Sequence, residues 1–293
     1  MSLRLEPRPR LTRDAFRLLR DLVNDYAGLT YDDAAMYAFD RRLGERVLAL
    51  ELGSFDEYYK YLRFHVRGAA ELDEAVELLT TKETYFFRQE YQLRAFEKEV
   101  LPKIAAANAS RRRISVWSAG CSTGEEAYTL AMILDRSGLF DGWDARVMGS
   151  DISKQNIAHA RRGVYRSASF RVIEDNVRRA YFTPTAGGAE VIADRVKQMC
   201  HFGQMNLLDA SRAAVVGRVD AVFCRNVLIY FDLRSRRRVI DSLYDRLVPG
   251  GYLMLGHSES LLNLSTAFEL VHLEEDLVYR KPLAAQRWDG VER

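Results

Sequence analysis

Long apolar runs are missing from this 293-residue chain. No stretch approaches the roughly 20 consecutive apolar residues that a membrane span needs, so insertion into a bilayer is not expected. An excess of one charge is missing too: 43 Lys and Arg stand against 41 Asp and Glu. A general nucleic-acid binder would be clearly basic, and that class is set aside. Cysteine is scarce. Cys121, Cys200 and Cys224 are odd in number and far apart, which argues against a disulfide framework. The five histidines show no HExxH or other paired spacing, so no metal site is expected. The opening MSLRLEPRPRLTRD has no apolar core of the signal-peptide kind. The first 80 or so residues show no internal repeat and no low-complexity segment. A cytoplasmic, soluble protein without structural metal is the expectation.

What is present is ordinary globular composition, 48% apolar and 29% charged, in a length that suits about two domains. The first 80 or so residues read as helix after helix. Thr12 is placed to cap a helix whose apolar stripe is Phe16, Leu19, Leu22, Val23 and Tyr26, and Gly28 is placed to end it. AAMYAFDRRLGERVLALEL predicts a second helix, Ser54 with Glu57 a capping box before a third, and AAELDEAVELL a fourth. TTKETYFFRQ interrupts this pattern. The long helix EYQLRAFEKEVLPKIAAAN follows, and residues 81–110 read as a linker and helix carrying TxFFR.

From residue 111 to 293 the pattern changes to α/β. ISVWS, ARVMGS, VDAVFC and YLMLG read as strands alternating with helices, which implies a parallel sheet covered on both faces. FELVHL and LVYRK are spaced to close it as a hairpin. The interval from Asp151 to Asn206 is too long for one crossover. AYFTPT, EVIAD and KQMCHFGQMN within it predict an inserted antiparallel β lobe of about three strands, at about 165–203.

Gly120 and Gly124 lie in SAGCSTGEEAY, a turn that joins a strand to a helix opening on Glu125 and Glu126. Ligands of open parallel sheets sit beyond the carboxyl ends of the strands. Gly120 to Glu126, Asp151, Arg225-Asn226 and GHSES all fall at such ends. A pyrophosphate would be stabilised at a helix N-terminus, but two carboxylates oppose it. GxGxxG and GK[ST] are absent. A ligand with cationic groups and sugar hydroxyls but no phosphate is favoured, and S-adenosylmethionine has that chemistry. Asp151 is then placed for the ribose hydroxyls. The bland alternatives are a helix N-cap for Asp151 and helix-dipole placement for the glutamates. Tyr85, Phe86 and Phe87 read equally as packing, Tyr230 as a buried tyrosine, Cys121 and Cys224 as apolar fillers, and His257 as a loop residue.

Taken together, TKETYFFRQ, VWSAGCSTGEEAY, GSDIS, MNLLD, FCRNVLIYF and GHSES resemble the chemoreceptor glutamate methyltransferases, the CheR-type family of bacterial chemotaxis. The resemblance spans nearly the whole chain. It implies a Rossmann-like class I methyltransferase sheet, an N-terminal helical domain for substrate recognition (1–80) and the inserted β lobe. It implies S-adenosylmethionine as cofactor and S-adenosylhomocysteine as product. Thr84 and Arg88 would hold the methionine end, Glu126 and more weakly Glu125 the amino group, Asp151 the ribose, and Asn206 with Leu207 the adenine. Arg225 and Asn226 would line the cleft beside Gly120, and Tyr230 would sit near the transferred methyl. Lys82 departs from the family, which commonly has Asn there.

The implied reaction is transfer to a glutamate side chain. That nucleophile, with an ordinary pKa of about 4.3, is ionised at neutral pH and needs no general base. Positioning remains, and Tyr230 and Arg88 are the candidates to orient the carboxylate. Arg41, Arg42 and Arg46 share one predicted helix and could steer acidic receptor signalling helices, or could form a solvated face. Some family members grip a receptor tail peptide with the β lobe; the compact turn TAGGAE favours independence from such a tail. A monomer recruited to membrane receptor arrays is expected. A methyltransferase with another substrate and a non-catalytic cofactor-binding scaffold are the alternatives, with a nicotinamide enzyme a distant further one.

Overall fold

The structure is a computed structural model that describes residues 9–283. The first eight residues of the opening stretch and the last ten of the chain, including the outer bounds of the expected domains, lie outside the described residues. Two compact units are present: Met1–Thr81 with Tyr230–Asp232, and Lys82–Ile229 with Leu233–Arg293.

The first unit is helical. Thr12 Oγ1 accepts from Ala15 N at 3.2 Å and opens α1 (Arg13–Ala27). Gly28, at φ 72°, ends it by donating its N–H to Asn24 O, a left-handed cap that glycine adopts without strain. One face of α1 buries Ala15, Phe16, Leu19, Leu22, Val23 and Ala27. α2 (Met36–Ala49) starts two residues later than its periodicity suggests, because Asp32 first caps a short 3-10 turn at Asp33–Ala35. α2 buries Phe39, Leu43 and Val47, one turn apart. Phe16 meets Phe39 edge to face at 5.1 Å. Ser54 caps α3 (Phe55–Phe64) by accepting from Glu57 N, while Glu57 Oε2 accepts from Gly53 N rather than from the cap itself. α4 (Gly68–Leu79) completes the bundle. Residues 230–232 join it as an added edge: Thr30 N donates to Tyr230 O, Asp232 N to Gly28 O, and Asn24 Nδ2 to Asp232 Oδ2 at 2.9 Å.

The second unit begins with the irregular TKETYFFRQ segment, then α5 (Glu90–Ala95), a π turn (Phe96–Val100) and α6 (Leu101–Asn108). The π turn has a cause: Pro102 has no N–H to continue the ladder, and Leu101 N–H reaches back five residues to Phe96 O. The strands are β1 (Arg113–Ala119), β2 (Asp144–Asp151), β3 (Val164–Tyr165), β4 (Phe182–Pro184), β5 (Glu190–Ile192), β6 (Cys200–Gln204), β7 (Val219–Cys224), β8 (Leu247–Leu255), β9 (Glu269–His272) and β10 (Leu277–Arg280). Seven form a mixed sheet in the order β6-β2-β1-β7-β8-β10-β9. The first five run parallel, and β10 is antiparallel to both neighbours, closing the sheet as the hairpin expected from FELVHL and LVYRK. β7 is buried at every residue and β1 at every residue after Arg113, as central parallel strands require. α7 (Glu125–Arg136) and α8 (Lys154–Arg162) follow β1 and β2. This is the Rossmann-like arrangement expected.

The small antiparallel sheet has the order β3-β5-β4. Two of its strands lie in AYFTPT and EVIAD. The third does not lie in KQMCHFGQMN. Asp194–Met199 is helical there, and β6 pairs in parallel with β2, Val147 opposite Cys200. Gly149 explains the fit: a Cβ on it would lie 2.5 Å from the Phe202 ring, so its bare backbone makes room for β6. Val164–Tyr165 supplies the missing lobe strand by pairing with β5. Phe86 anchors the lobe, with Tyr165 at 4.8 Å, Phe182 at 4.9 Å and Phe170 stacked at 5.4 Å.

Candidate cofactor site

The chain runs from β1 outward through β2 to β6, then returns to β7 on the other side of β1. The strand order therefore reverses between β1 and β7, the switch point beyond whose carboxyl ends open α/β sheets bind their ligands. Gly120 (φ 84°) turns the chain off β1, and Gly120 N and Cys121 N both donate to Ser150 O. A Cβ on Gly120 would lie 2.5 Å from Val227 Cγ2, so only glycine lets the turns after β1 and β7 approach this closely.

Glu126 sits in the first turn of α7 with its side chain 16% exposed. Ser118 Oγ donates to its Oε1 at 2.7 Å, and Arg225 Nη1 lies 3.4 Å from its Oε2. Burial pushes the Glu126 carboxyl above its ordinary pKa, opposed by Arg225, the Ser118 hydroxyl and Arg88. Arg225 is 2% exposed. Burial lowers its pKa and Glu126 opposes that. Arg225 Nη2 donates to Arg88 O and to Gln89 Oε1, the latter at 2.9 Å, tying the TxFFR segment to the end of β7. The Arg88 side chain donates from Nη1 to Glu83 O at 2.9 Å and lies over the Tyr85 ring. Thr84 is half-buried beside it in the sequence.

Asp151 ties the turns together. Its Oδ2 accepts from Ser122 N at 2.9 Å, and its Oδ1 from Ser153 N at 2.9 Å and Asn156 Nδ2 at 3.1 Å. The N-cap of α8 is Ser153, whose hydroxyl accepts from Asn156 N, so Asp151 is not the cap. Met205 N donates to Asp151 O, which brings the chain just before Asn206 and Leu207 to the end of β2. Glu125 has a different occupation: it is 2% exposed, with Thr123 Oγ1 on one oxygen at 2.6 Å and Ser169 Oγ on the other at 2.8 Å. Each of its oxygens thus accepts one protein hydroxyl.

The donor set fits S-adenosylmethionine. It joins a half-buried carboxylate for an ammonium, a half-buried guanidinium for a carboxylate and an aspartate at the end of β2. Ser122 Oγ, Arg225 Nε and Asn226 Oδ1 are buried without a protein partner in this region. Among the described residues no cluster of His, Cys, Asp and Glu could hold a metal ion, and no helix is long and apolar enough to cross a membrane.

Two family models match: the all-alpha domain of CheR methyltransferases over residues 14–80, and their S-adenosylmethionine-binding domain over residues 82–277. The chain belongs to the CheR methyltransferase family. Chemotaxis protein methyltransferase 2 of Vibrio cholerae is 34% identical over 273 residues, covering 93% of this chain and 94% of its own. The chemotaxis protein methyltransferase of Vibrio parahaemolyticus is 34% identical over 273 residues, 90% and 96% of the two chains. Chemotaxis protein methyltransferase 1 of Pseudomonas aeruginosa is 30% identical over 273 residues, 90% and 97%. S-adenosylmethionine is therefore the cofactor of this CheR-family chain.

The site residues expected from sequence divide between the two units. Thr84, Arg88, Gly120, Glu126, Asp151, Asn206, Leu207, Arg225 and Asn226 belong to the α/β unit, and Arg88, Glu126 and Arg225 are in mutual contact or electrostatic reach. Tyr230 belongs with the helical unit and is 38% exposed, not a buried core tyrosine. Of the arginines on α2, Arg41 is exposed. Arg42 Nη1 donates to Leu78 O at 2.9 Å. Arg46 makes a two-pronged pair with Glu71 at 2.8 and 2.5 Å, which ties α2 to α4. Phe86 and Phe87 are buried packing, as are Cys121 and Cys224, and His257 is an exposed loop residue. Ser118, Gln89 and Glu259 went unassigned from sequence. Each lies in a quoted motif, Gln89 in TKETYFFRQ, Ser118 in VWSAGCSTGEEAY and Glu259 in GHSES, but the motifs assign none of them a role.

Proposed function

We propose that this chain transfers the methyl group of S-adenosylmethionine to glutamate side chains of chemotaxis receptors. The observation that carries the cofactor half is Glu126: a half-buried carboxylate at a helix N-terminus, beyond the switch point of the sheet, rejects phosphate and suits an ammonium. The relatives named above supply the receptor half. When bound, the cofactor supplies a sulfonium methyl as electrophile. Glu126 would hold its ammonium, Arg88 and Thr84 its carboxylate, Asp151 the ribose, and Asn206 with Leu207 the adenine. Arg225, fixed by Glu126, Arg88 O and Gln89, would hold the crevice wall. Glu125 would keep the turn in shape through Thr123 and Ser169. Tyr230, next in the chain to Ile229, would orient the acceptor carboxylate. That acceptor needs no base, since it is ionised at neutral pH. We assign residues 1–80 to receptor recognition and residues 111–293 to the cofactor and chemistry. A monomer working at cytoplasmic receptor arrays is part of the same proposal.

Incubation with methyl-labelled cofactor and a receptor signalling fragment tests this. Base-labile label on receptor glutamates is expected. Label that resists base, label on another acceptor, or cofactor binding without transfer would overturn the glutamate assignment.

A further inference from the structure

GHSES contains a carboxylate with an unusual load. Glu259 Oε1 accepts from Val227 N at 2.9 Å and Ile229 N at 3.2 Å. Its Oε2 accepts from Asn226 N and Gly256 N, each at 2.8 Å. Three of these four donors belong to the turn that leaves β7, and the fourth to the turn that leaves β8. Asn226 stands at φ 59°, a left-handed conformation that non-glycine residues seldom adopt, so something must hold it there. Its side-chain Oδ1 is buried without a protein partner, as is Arg225 Nε. The approach is close on every side: a Cβ on Gly256 would lie 2.7 Å from Glu259 Oε2 and 2.9 Å from Asn226 N.

The geometry points to Glu259 as the positioning residue of the methyl-transfer site: its carboxylate gathers four backbone N–H groups and locks the Asn226–Ile229 turn against the end of β8. A carboxylate is required because it only accepts. A glutamine in the same place would bring an NH2 group against backbone donors and leave some of them unpaired. The turn so held carries Asn226, follows Arg225 and leads directly into Tyr230. Only the catalytic consequence rests on the methyltransferase reading; the clamp itself does not.

The test uses Glu259→Gln in the full chain, with two readouts. Hydrogen exchange at the Asn226, Val227, Ile229 and Gly256 amides is expected to quicken by about tenfold or more, the loss of a charge-assisted bond, while the interiors of β7 and β8 keep their protection. In receptor methylation, kcat is expected to fall by about 10- to 100-fold, the scale of an ångström-level misplacement, with KM for S-adenosylmethionine within about threefold. Gly256→Ala, which pushes the carboxylate aside while keeping its charge, should reproduce both effects and serves if the first variant does not fold. Unchanged exchange at the four amides overturns the clamp. Faster exchange with full kcat overturns the positioning role. Wild-type protein that fails to methylate receptor sinks the proposed function instead, and the exchange measurement still decides the clamp.

Discussion

Two arginine–carboxylate pairs, one in each unit, are built differently. In the helical unit, Glu71 is 6% exposed and receives Arg46 through two parallel bonds and Tyr58 Oη through a third at 2.9 Å. In the α/β unit, Glu126 receives Arg225 through a single long contact of 3.4 Å, and Arg225 Nε is buried without a protein partner. A buried charge is costly unless it is matched by a partner and by hydrogen bonds. The first pair meets that condition within the protein, and the second meets it incompletely. A closed pair holds a fold together, whereas an open one is a place for a charged ligand to complete.

The largest effect should come from breaking the closed pair. Arg46→Glu places two carboxylates together, one of them 6% exposed. Removing one partner of such a pair costs about 3 kcal/mol or more. Chemical denaturation should show the helical unit losing stability, with part of the loss recovered by Glu71→Ala in the same chain. Any rise in receptor KM in that variant would then reflect unfolding. Normal stability of Arg46→Glu would erase the distinction between the pairs and return Arg46 to the receptor-facing set.

The open pair should respond with the opposite balance. Glu126→Gln removes the negative charge meant for the cofactor ammonium, so affinity for S-adenosylhomocysteine should fall about 10- to 100-fold, the worth of a charge-assisted bond of about 1.5–3 kcal/mol. The stability change should be small, because relief of the burial penalty on the carboxylate offsets the lost charge partner of Arg225, which keeps Arg88 O and Gln89. Calorimetry and denaturation on one preparation check both halves. Full affinity in the variant would remove Glu126 from the cofactor.

A smaller, graded effect should appear with pH. The folded-state pKa of Glu126 lies above its ordinary value, chiefly through burial. As pH falls through that raised value, the carboxylate is neutralised and cofactor affinity should decline. The stability term runs the other way: a raised folded-state pKa favours folding below the unfolded value, and that gain is lost as pH rises through the folded one. In Glu126→Gln the affinity should vary less with pH over the same range. A wild-type affinity that stays flat through the acid range would contradict the role.

Local signals were legible in the sequence and long-range ones were not. Thr12, Gly28 and the Phe16–Val23 stripe mark α1 because capping and periodicity act within a few residues. The glycine turn, the opening glutamates and Asp151 fell at strand ends, and the fold gathers those ends. β6 was assigned to the wrong sheet because its place depends on Gly149, about 50 residues earlier, leaving room for Phe202. Arg46 read as a surface charge because its partner, Glu71, lies a helix away. Glu259 had no readable role, since its donors are backbone N–H groups that every residue except proline carries.

The smallest effect concerns what remains of the basic helix. Of that trio on α2, Arg41 is exposed, whereas Arg42 and Arg46 are half-buried. A single exposed charge contributes about 0.2–1 kcal/mol to an ion pair, so Arg41→Glu should raise receptor KM by about two- to fivefold. Affinity for S-adenosylhomocysteine should not change, because the crevice residues belong to the other unit. Exposed charges are screened over about 8 Å at physiological ionic strength. Added salt should therefore raise the wild-type KM more steeply than that of the variant, and the two curves should converge. Unaltered receptor kinetics at low salt would make α2 a solvated face and send the search for receptor recognition to the β3-β5-β4 lobe.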